Sequence, residues 1–168
     1  MEQTFVMIKP DGIKRAVVGE IIHRFERMGL KIVAMKMVLP DDALLLKHYK
    51  SYEDATLKRW GEKTLATYSK YGKDARKDFG TDDPMELGKL VNKWLFDYVK
   101  SGPMIAIILE GKHAVENVIN IAGPTTPVAA PAGTIRGDFS TDSAAYANEE
   151  QRGVTNLIHI SASVEEAN

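Results

Sequence analysis

The run Pro103 to Glu110 (Pro-Met-Ile-Ala-Ile-Ile-Leu-Glu) restricts the fold more than any other segment. It is almost continuously apolar, the pattern of a strand covered on both faces in the middle of a sheet. The other segments arrange themselves around it. Thr4 to Lys9 reads as a short buried strand that the Pro10-Asp11-Gly12 turn brings to an end. Gly19 to Met28 carries Ile21, Ile22, Phe25 and Met28 at helical spacing, with Gly29 placed as its C-terminal cap. Ile32 to Leu39 alternates, with Val33, Met35, Met37 and Leu39 sharing one face, and Pro40 ends this second strand. Asp41 or Asp42 caps a helix running to about Tyr49.

Ser51 to Leu87 is the least legible stretch. It predicts some helix near Thr56 to Ser69 and then an exposed loop around Tyr71 to Pro84. Leu87 to Lys100 is helical again, with Leu90, Val91, Trp94, Leu95 and Tyr98 on one broad face, and His113 to Ala122 is a short helix. Gly123 to Gly133 holds three of the seven prolines and forms a rigid, non-repetitive loop, and Asn156 to Ser161 is a closing strand. The order is β-α-β-β-α-β with additions. It predicts an α/β chain of the α+β type: a ferredoxin-like antiparallel sheet covered by helices, in a single domain over residues 1–168.

Composition narrows the function. With 168 residues, 44% of them hydrophobic and 27% charged, the chain can bury one substantial core. The formal net charge of −1 supplies no global field for nucleic acid or an anionic membrane, so neither is expected as a partner, and an anionic substrate requires a local cluster of cations. The absence of cysteine excludes disulfides, thiolate metal sites and a cysteine nucleophile. No apolar run approaches the ~20 residues of a membrane helix, and no charged-then-apolar leader is visible, so a cytoplasmic location is expected.

His159 is the chemically interesting residue. Alternation along Leu157 to Ser161 places Leu157, His159 and Ser161 on one face and turns Ile158 and Ile160 toward the core. An imidazole on a rigid strand, with a hydroxyl beside it, is suited to accept a phosphoryl group near neutral pH. A lone histidine of this kind is more often an ordinary half-buried side chain. Lys9 ends the first strand, where an ammonium can neutralise phosphate oxygens, although most strand-end lysines are simply solvated. Arg136 follows a Gly-Thr-Ile turn and can grip phosphate with a planar fork, or pair with Asp138 on the surface. Thr125 and Thr126 offer hydroxyls to phosphate or to their own turn, Asn156 an amide to a sugar or to the loop backbone, and Tyr49 a phenol to a phosphate or to the core edge. There is no P-loop, no dinucleotide-binding glycine fingerprint and no carboxylate or histidine cluster at metal-site spacing.

Taken in order, TFVMIKPDG, VGEIIHRFERMGLKIVAMKM, KHY, SGPMIAIILEG, GPTTP, PAGTIRGDF and NLIH resemble the nucleoside diphosphate kinase family over Thr4 to Ala167, interrupted by an insertion-like region at about 53–90. The resemblance implies transfer of the terminal phosphate of ATP or another nucleoside triphosphate to a nucleoside diphosphate, by a ping-pong route through a phosphohistidine at His159. Lys9, Tyr49, Thr125 and Arg136 would hold phosphates, Asn156 the ribose, and Ser161 would support the histidine. Mg2+ would arrive bound to substrate, and the chains would assemble as hexamers or tetramers. The chain departs from the family pattern at Ile160 and Ala162, where it usually reads Gly or Ala and then Asp, and at Ile119, where a phosphate-binding arginine usually stands. A missing charge-assisted contact costs ~1.5–3 kcal/mol. A carboxylate beyond the histidine strand orients the imidazole in the family; Glu165 and Glu166 are the acids that follow it here. These departures define the alternative, a nucleotide-binding relative with little turnover that serves as a regulatory or assembly subunit.

Overall fold

The computed structural model describes residues 1–167. The elements follow as β1 (Glu2–Ile8), α1 (Pro10–Lys14), α2 (Val18–Arg27), β2 (Lys31–Val38), α3 (Asp42–Tyr49), α4 (Asp54–Lys70), α5 (Ala75–Phe79), α6 (Pro84–Val99), β3 (Met104–Gly111), α7 (Ala114–Ala122), a 3-10 turn (Pro127–Ala129), α8 (Ile135–Phe139), α9 (Ala144–Glu149), β4 (Ile158–Ile160) and α10 (Val164–Ala167). They form two compact units. The first takes in Met1–Leu39, Gly102–Asp142 and the segment from Thr155 on; the second takes in Pro40–Ser101 and Ser143–Val154.

The first unit is built on a four-stranded sheet in the order β2-β3-β1-β4, with every neighbouring pair antiparallel. This is the ferredoxin-like arrangement expected from the element order. The apolar run does form an inner strand, β3, paired with β1 on one side and β2 on the other. Val6, Ile8, Ile107 and Leu109 from the sheet meet Ile21 and Phe25 of α2 and Val118 and Ala122 of α7, and all eight are buried. Burial of each such side chain contributes roughly 1.5–3 kcal/mol relative to exposure.

β2 is an edge strand, and it is not half-buried as its alternation suggests. Met35 and Met37 stand opposite Ile107 and Ile105 of β3, yet they remain 55% and 64% exposed. A register shift between Ile32 and Ala34 interrupts the pairing at Val33.

The second unit is helical. Asp41 caps α3 by accepting the Leu44 N–H at 2.8 Å. The helix expected near Thr56 to Ser69 is α4, and the loop expected around Tyr71 to Pro84 contains the short α5 and ends at the start of α6. Asp83 caps α6 ahead of Pro84, a combination that fixes the helix start. Helices α4 and α6 cross closely because both carry glycine at the crossing. A Cβ on Gly61 would come 1.8 Å from the Pro84 carbonyl oxygen, and one on Gly88 would come 2.0 Å from that of Leu57.

Candidate active site

The first unit brings several of the predicted residues onto one short stretch of chain, Asn156 to His159. Lys9 lies just past the end of β1. Its N–H donates to the Leu157 carbonyl at 2.8 Å, and its ammonium donates to Asn156 Oδ1 at 2.7 Å. Lys9 is buried, and burial first, then the Arg136 guanidinium, push its pKa down to about 8, while Asp11 acts the other way. The site therefore holds a lysine that is easily discharged unless an anion joins it.

Pro10-Asp11-Gly12 does not merely end β1 as a turn. It opens α1, with Lys9 as N-cap and Pro10 in the first turn, where its missing N–H costs nothing. Asp11 turns back to accept the Leu157 N–H at 3.1 Å. Asn156 donates its side-chain amide to the Thr125 carbonyl at 2.9 Å, tying the proline-rich loop to the histidine segment. Thr125 itself is exposed.

Arg136 sits in α8, which Thr134 caps by accepting the Gly137 N–H at 3.1 Å. The arginine is buried. Its Nε donates to the Asn156 carbonyl at 3.3 Å, Nη1 to Gly123 at 2.5 Å and Nη2 to Ile158 at 2.8 Å. It does not form the surface ion pair with Asp138 that short spacing suggests. Asp138 pairs instead with Arg24 of α2 at 2.5 Å. Arg24 also donates to the Gly133 carbonyl at 2.9 Å and lies 4.7 Å over the Phe139 ring, so one side chain holds both ends of the Arg136 segment.

His159 is part-buried in β4, opposite Met7 of β1. Its ring lies 6.4 Å from that of Phe5. The expected grouping of Leu157, His159 and Ser161 on one face needs correcting at its first member. Leu157 has φ 69°, in the left-handed region, and its side chain joins Ile158 in the core. Strand alternation therefore begins only at Ile158. Ser161 is buried, and its N–H donates to the Phe5 carbonyl at 3.1 Å. Glu166 accepts the Ala162 N–H at 2.6 Å, and Glu165 is held below the usual carboxylate range by hydrogen bonds from its own backbone and from Ser163. Ile119, the position of the missing arginine, is 36% exposed on α7.

Tyr49 belongs to the second unit and closes α3. Its ring packs edge-on to His48 at 4.7 Å and lies 6.4 Å from Trp60 and 6.5 Å from Phe96. Burial pushes its phenol up, so it stays a neutral donor at any physiological pH. Sequence reasoning missed Asp11 and Arg24. Asp11 was legible only as turn chemistry, and Arg24 only as one charge on an amphipathic helix.

An antiparallel ferredoxin-like sheet whose edge strand β4 carries a histidine, with a buried lysine and arginine bonded to the residues just before it, is suited to handling phosphate. A family model for nucleoside diphosphate kinase matches residues 2–59 and 86–168, and the chain belongs to that family. It is 47% identical to a nucleoside diphosphate kinase of Pyrobaculum aerophilum over 99% of this chain and 91% of that protein. It is 32% identical to one of Borreliella burgdorferi over 99% of this chain and 83% of that one. A crystal structure of the Pyrobaculum aerophilum NDP kinase superposes with a TM-score of 0.93 at 46% identity, covering 99% of this chain and 91% of that one. A transition-state mimic of the Borrelia burgdorferi enzyme, with bound vanadate and ADP, superposes with a TM-score of 0.77 at 32% identity, covering 99% and 82%. The activity is thus transfer of a terminal phosphate between nucleoside tri- and diphosphates, and the low-turnover alternative is not favoured.

Enzymes of this family work with a divalent cation. Among the described residues, no group of three or more His, Cys, Asp or Glu side chains is placed to hold a metal ion. No helix among them is long and apolar enough to cross a membrane.

Proposed function

We propose that the phosphate moves by a ping-pong route through His159. The carrying observation is that Lys9, Asn156 and Arg136 all bond to one another or to the backbone immediately preceding His159. A ring nitrogen of His159 attacks the γ-phosphorus of a nucleoside triphosphate. The N–P bond forms, the bond from the bridging oxygen to the γ-phosphorus breaks, and the nucleoside diphosphate leaves with the electron pair. A second nucleoside diphosphate then attacks the phosphohistidine through a terminal β-phosphate oxygen, and the N–P bond breaks in turn. Lys9 stabilises the charge on the transferring oxygens, and an incoming phosphate raises its proton affinity, so the lysine is charged when it is needed. Arg136, fixed by three carbonyl bonds, presents a planar guanidinium fork suited to phosphate. Thr125 and Tyr49 contribute hydroxyls to phosphate, Asn156 meets the ribose, and Ser161 keeps its strand in place.

Mg2+ enters on the substrate phosphates, whose oxygens are the ligands this hard cation prefers. It would neutralise phosphate charge as the γ-phosphoryl group moves. ATP and other nucleoside di- and triphosphates are the substrates, and the cytoplasm is the site of action. Residues 53–90 are an insertion within a single family domain; the gap in the family match at residues 60–85 supports this. The chains form a homo-oligomer, a hexamer or a tetramer, using the exposed apolar edge strand β2, whose partner is a second copy.

The test is incubation of wild type and His159→Ala with ATP, followed by intact mass. An acid-labile phosphoryl group on wild type alone, discharged by a nucleoside diphosphate, supports the scheme. A wild-type chain that turns over without such an adduct sinks it.

A further inference from the structure

We propose that Asp11 is a positioning residue for His159: its carboxylate holds Leu157 in the left-handed backbone conformation from which the histidine strand starts. The proposal rests on the reading of His159 as the phosphoryl carrier. Leu157 has φ 69°, a conformation that branched apolar side chains rarely adopt and that persists only where surroundings over-determine it. Both of its backbone polar groups are pinned. Its N–H donates to Asp11 Oδ2 at 3.1 Å, and its carbonyl accepts the Lys9 N–H at 2.8 Å.

Leu157 is fully buried, and the Asp11 carboxylate supplies the acceptor for its N–H. Asp11 is well placed to impose geometry. It occupies the first turn of α1 directly after Pro10, whose ring fixes φ, and a Cβ added at the next residue, Gly12, would lie only 3.4 Å from the Leu157 carbonyl oxygen. The start of α1 is thus seated against the unusual residue.

The consequence reaches the nucleophile two residues on. With φ positive, Leu157 turns into the core, and Ile158 and His159 pair with Ile8 and Met7. If Leu157 relaxed to an ordinary extended conformation, the alternation would begin one residue earlier. The chain on both sides would then shift, taking with it Asn156, which Lys9 holds at 2.7 Å. Asp11 therefore sets where the imidazole stands without touching substrate.

The experiment compares wild type, Asp11→Ala, Asp11→Asn and Asp11→Glu. It follows the rate and final stoichiometry of acid-labile phosphoryl transfer from ATP in a rapid quench, together with binding of a non-hydrolysable ATP analogue. Asp11→Ala is expected to reach the wild-type stoichiometry roughly tenfold to a hundredfold more slowly, as misplacement of a reacting group by about an ångström does, with a smaller loss of analogue affinity. Asp11→Asn keeps an acceptor oxygen in place and is expected to recover most of the rate. Asp11→Glu keeps the charge but moves the oxygen, and stays slow even if Asp11→Ala fails to fold. A wild-type rate in Asp11→Ala or Asp11→Glu overturns the proposal. So does a lowered stoichiometry at wild-type rate, which is a folding defect alone. Wild-type protein that gains no phosphoryl group on His159 removes the reading beneath it, a result distinct from either.

Discussion

Lys9 shows how one buried charge links stability to chemistry. Its pKa is lowered to about 8, against 10.5 for an ordinary lysine, chiefly because burial strips water from the ammonium. Between those values the unfolded chain binds more protons than the folded one, so folding becomes more favourable as pH rises through that window. Below about pH 8 the full penalty is present, of the order of 3 kcal/mol. Lys9→Met is accordingly expected to be inactive yet more resistant to urea than wild type at pH 7, with the advantage vanishing above pH 10.5, and equilibrium unfolding at the two pH values checks it. In the wild type, kcat/KM should fall as pH rises through about 8 and the free site loses its proton. A pH–rate profile flat to pH 10 would contradict the role given to Lys9. The lysine was legible in the sequence as a cation at a strand end. Its burial, and its bond to a residue 147 positions away, were not.

Among the elements, α8 and the α4–α6 pair depend on single residues that carry no local signal. Arg24 reaches from α2 to hold Gly133, Asp138 and Phe139. Its partner carboxylate is held below the usual range by the Gly133 N–H and by Arg24 itself. Because Arg24 and Asp138 are 24% and 28% exposed, the ion pair alone is a modest term. Arg24→Ala is expected to lower stability by about 1 kcal/mol, with the ring contact included, and chemical denaturation measures it. Gly88→Ala carries a larger cost, because the added methyl would meet the Leu57 backbone rather than a flexible side chain. It is expected to destabilise by about 1–3 kcal/mol or more, read as a lowered Tm, although alanine favours an isolated helix. An unchanged Tm would mean that the α4–α6 crossing is looser than described. The spans of α2, α3, α6 and α7 were legible to within a few residues from apolar spacing and caps. Helices α8 and α9 were not, since each is too short to show a period and forms only around its capping hydroxyl, Thr134 or Ser143.

At the scale of the whole molecule, edge strand β2 is the feature that a single chain leaves unexplained. Met35 and Met37 lie on the core-facing side of β2 but stay more than half exposed, with Val33 and Leu39 exposed beside them. Met35→Asp combined with Met37→Asp is expected to lower the mass measured by sedimentation equilibrium while His159 phosphorylation persists. An assembly of unchanged size would move the interface elsewhere. The family and the antiparallel ferredoxin-like order were determined by the sequence alone, because apolar periodicity and ordered motifs are local properties of the chain. Tertiary structure alone decided that Arg136 turns inward onto three carbonyls, that Asp138 pairs with Arg24, and that Leu157 leaves the strand alternation. These outcomes depend on which donors and acceptors remain unsatisfied once distant segments are packed together, and no short window of sequence contains that information.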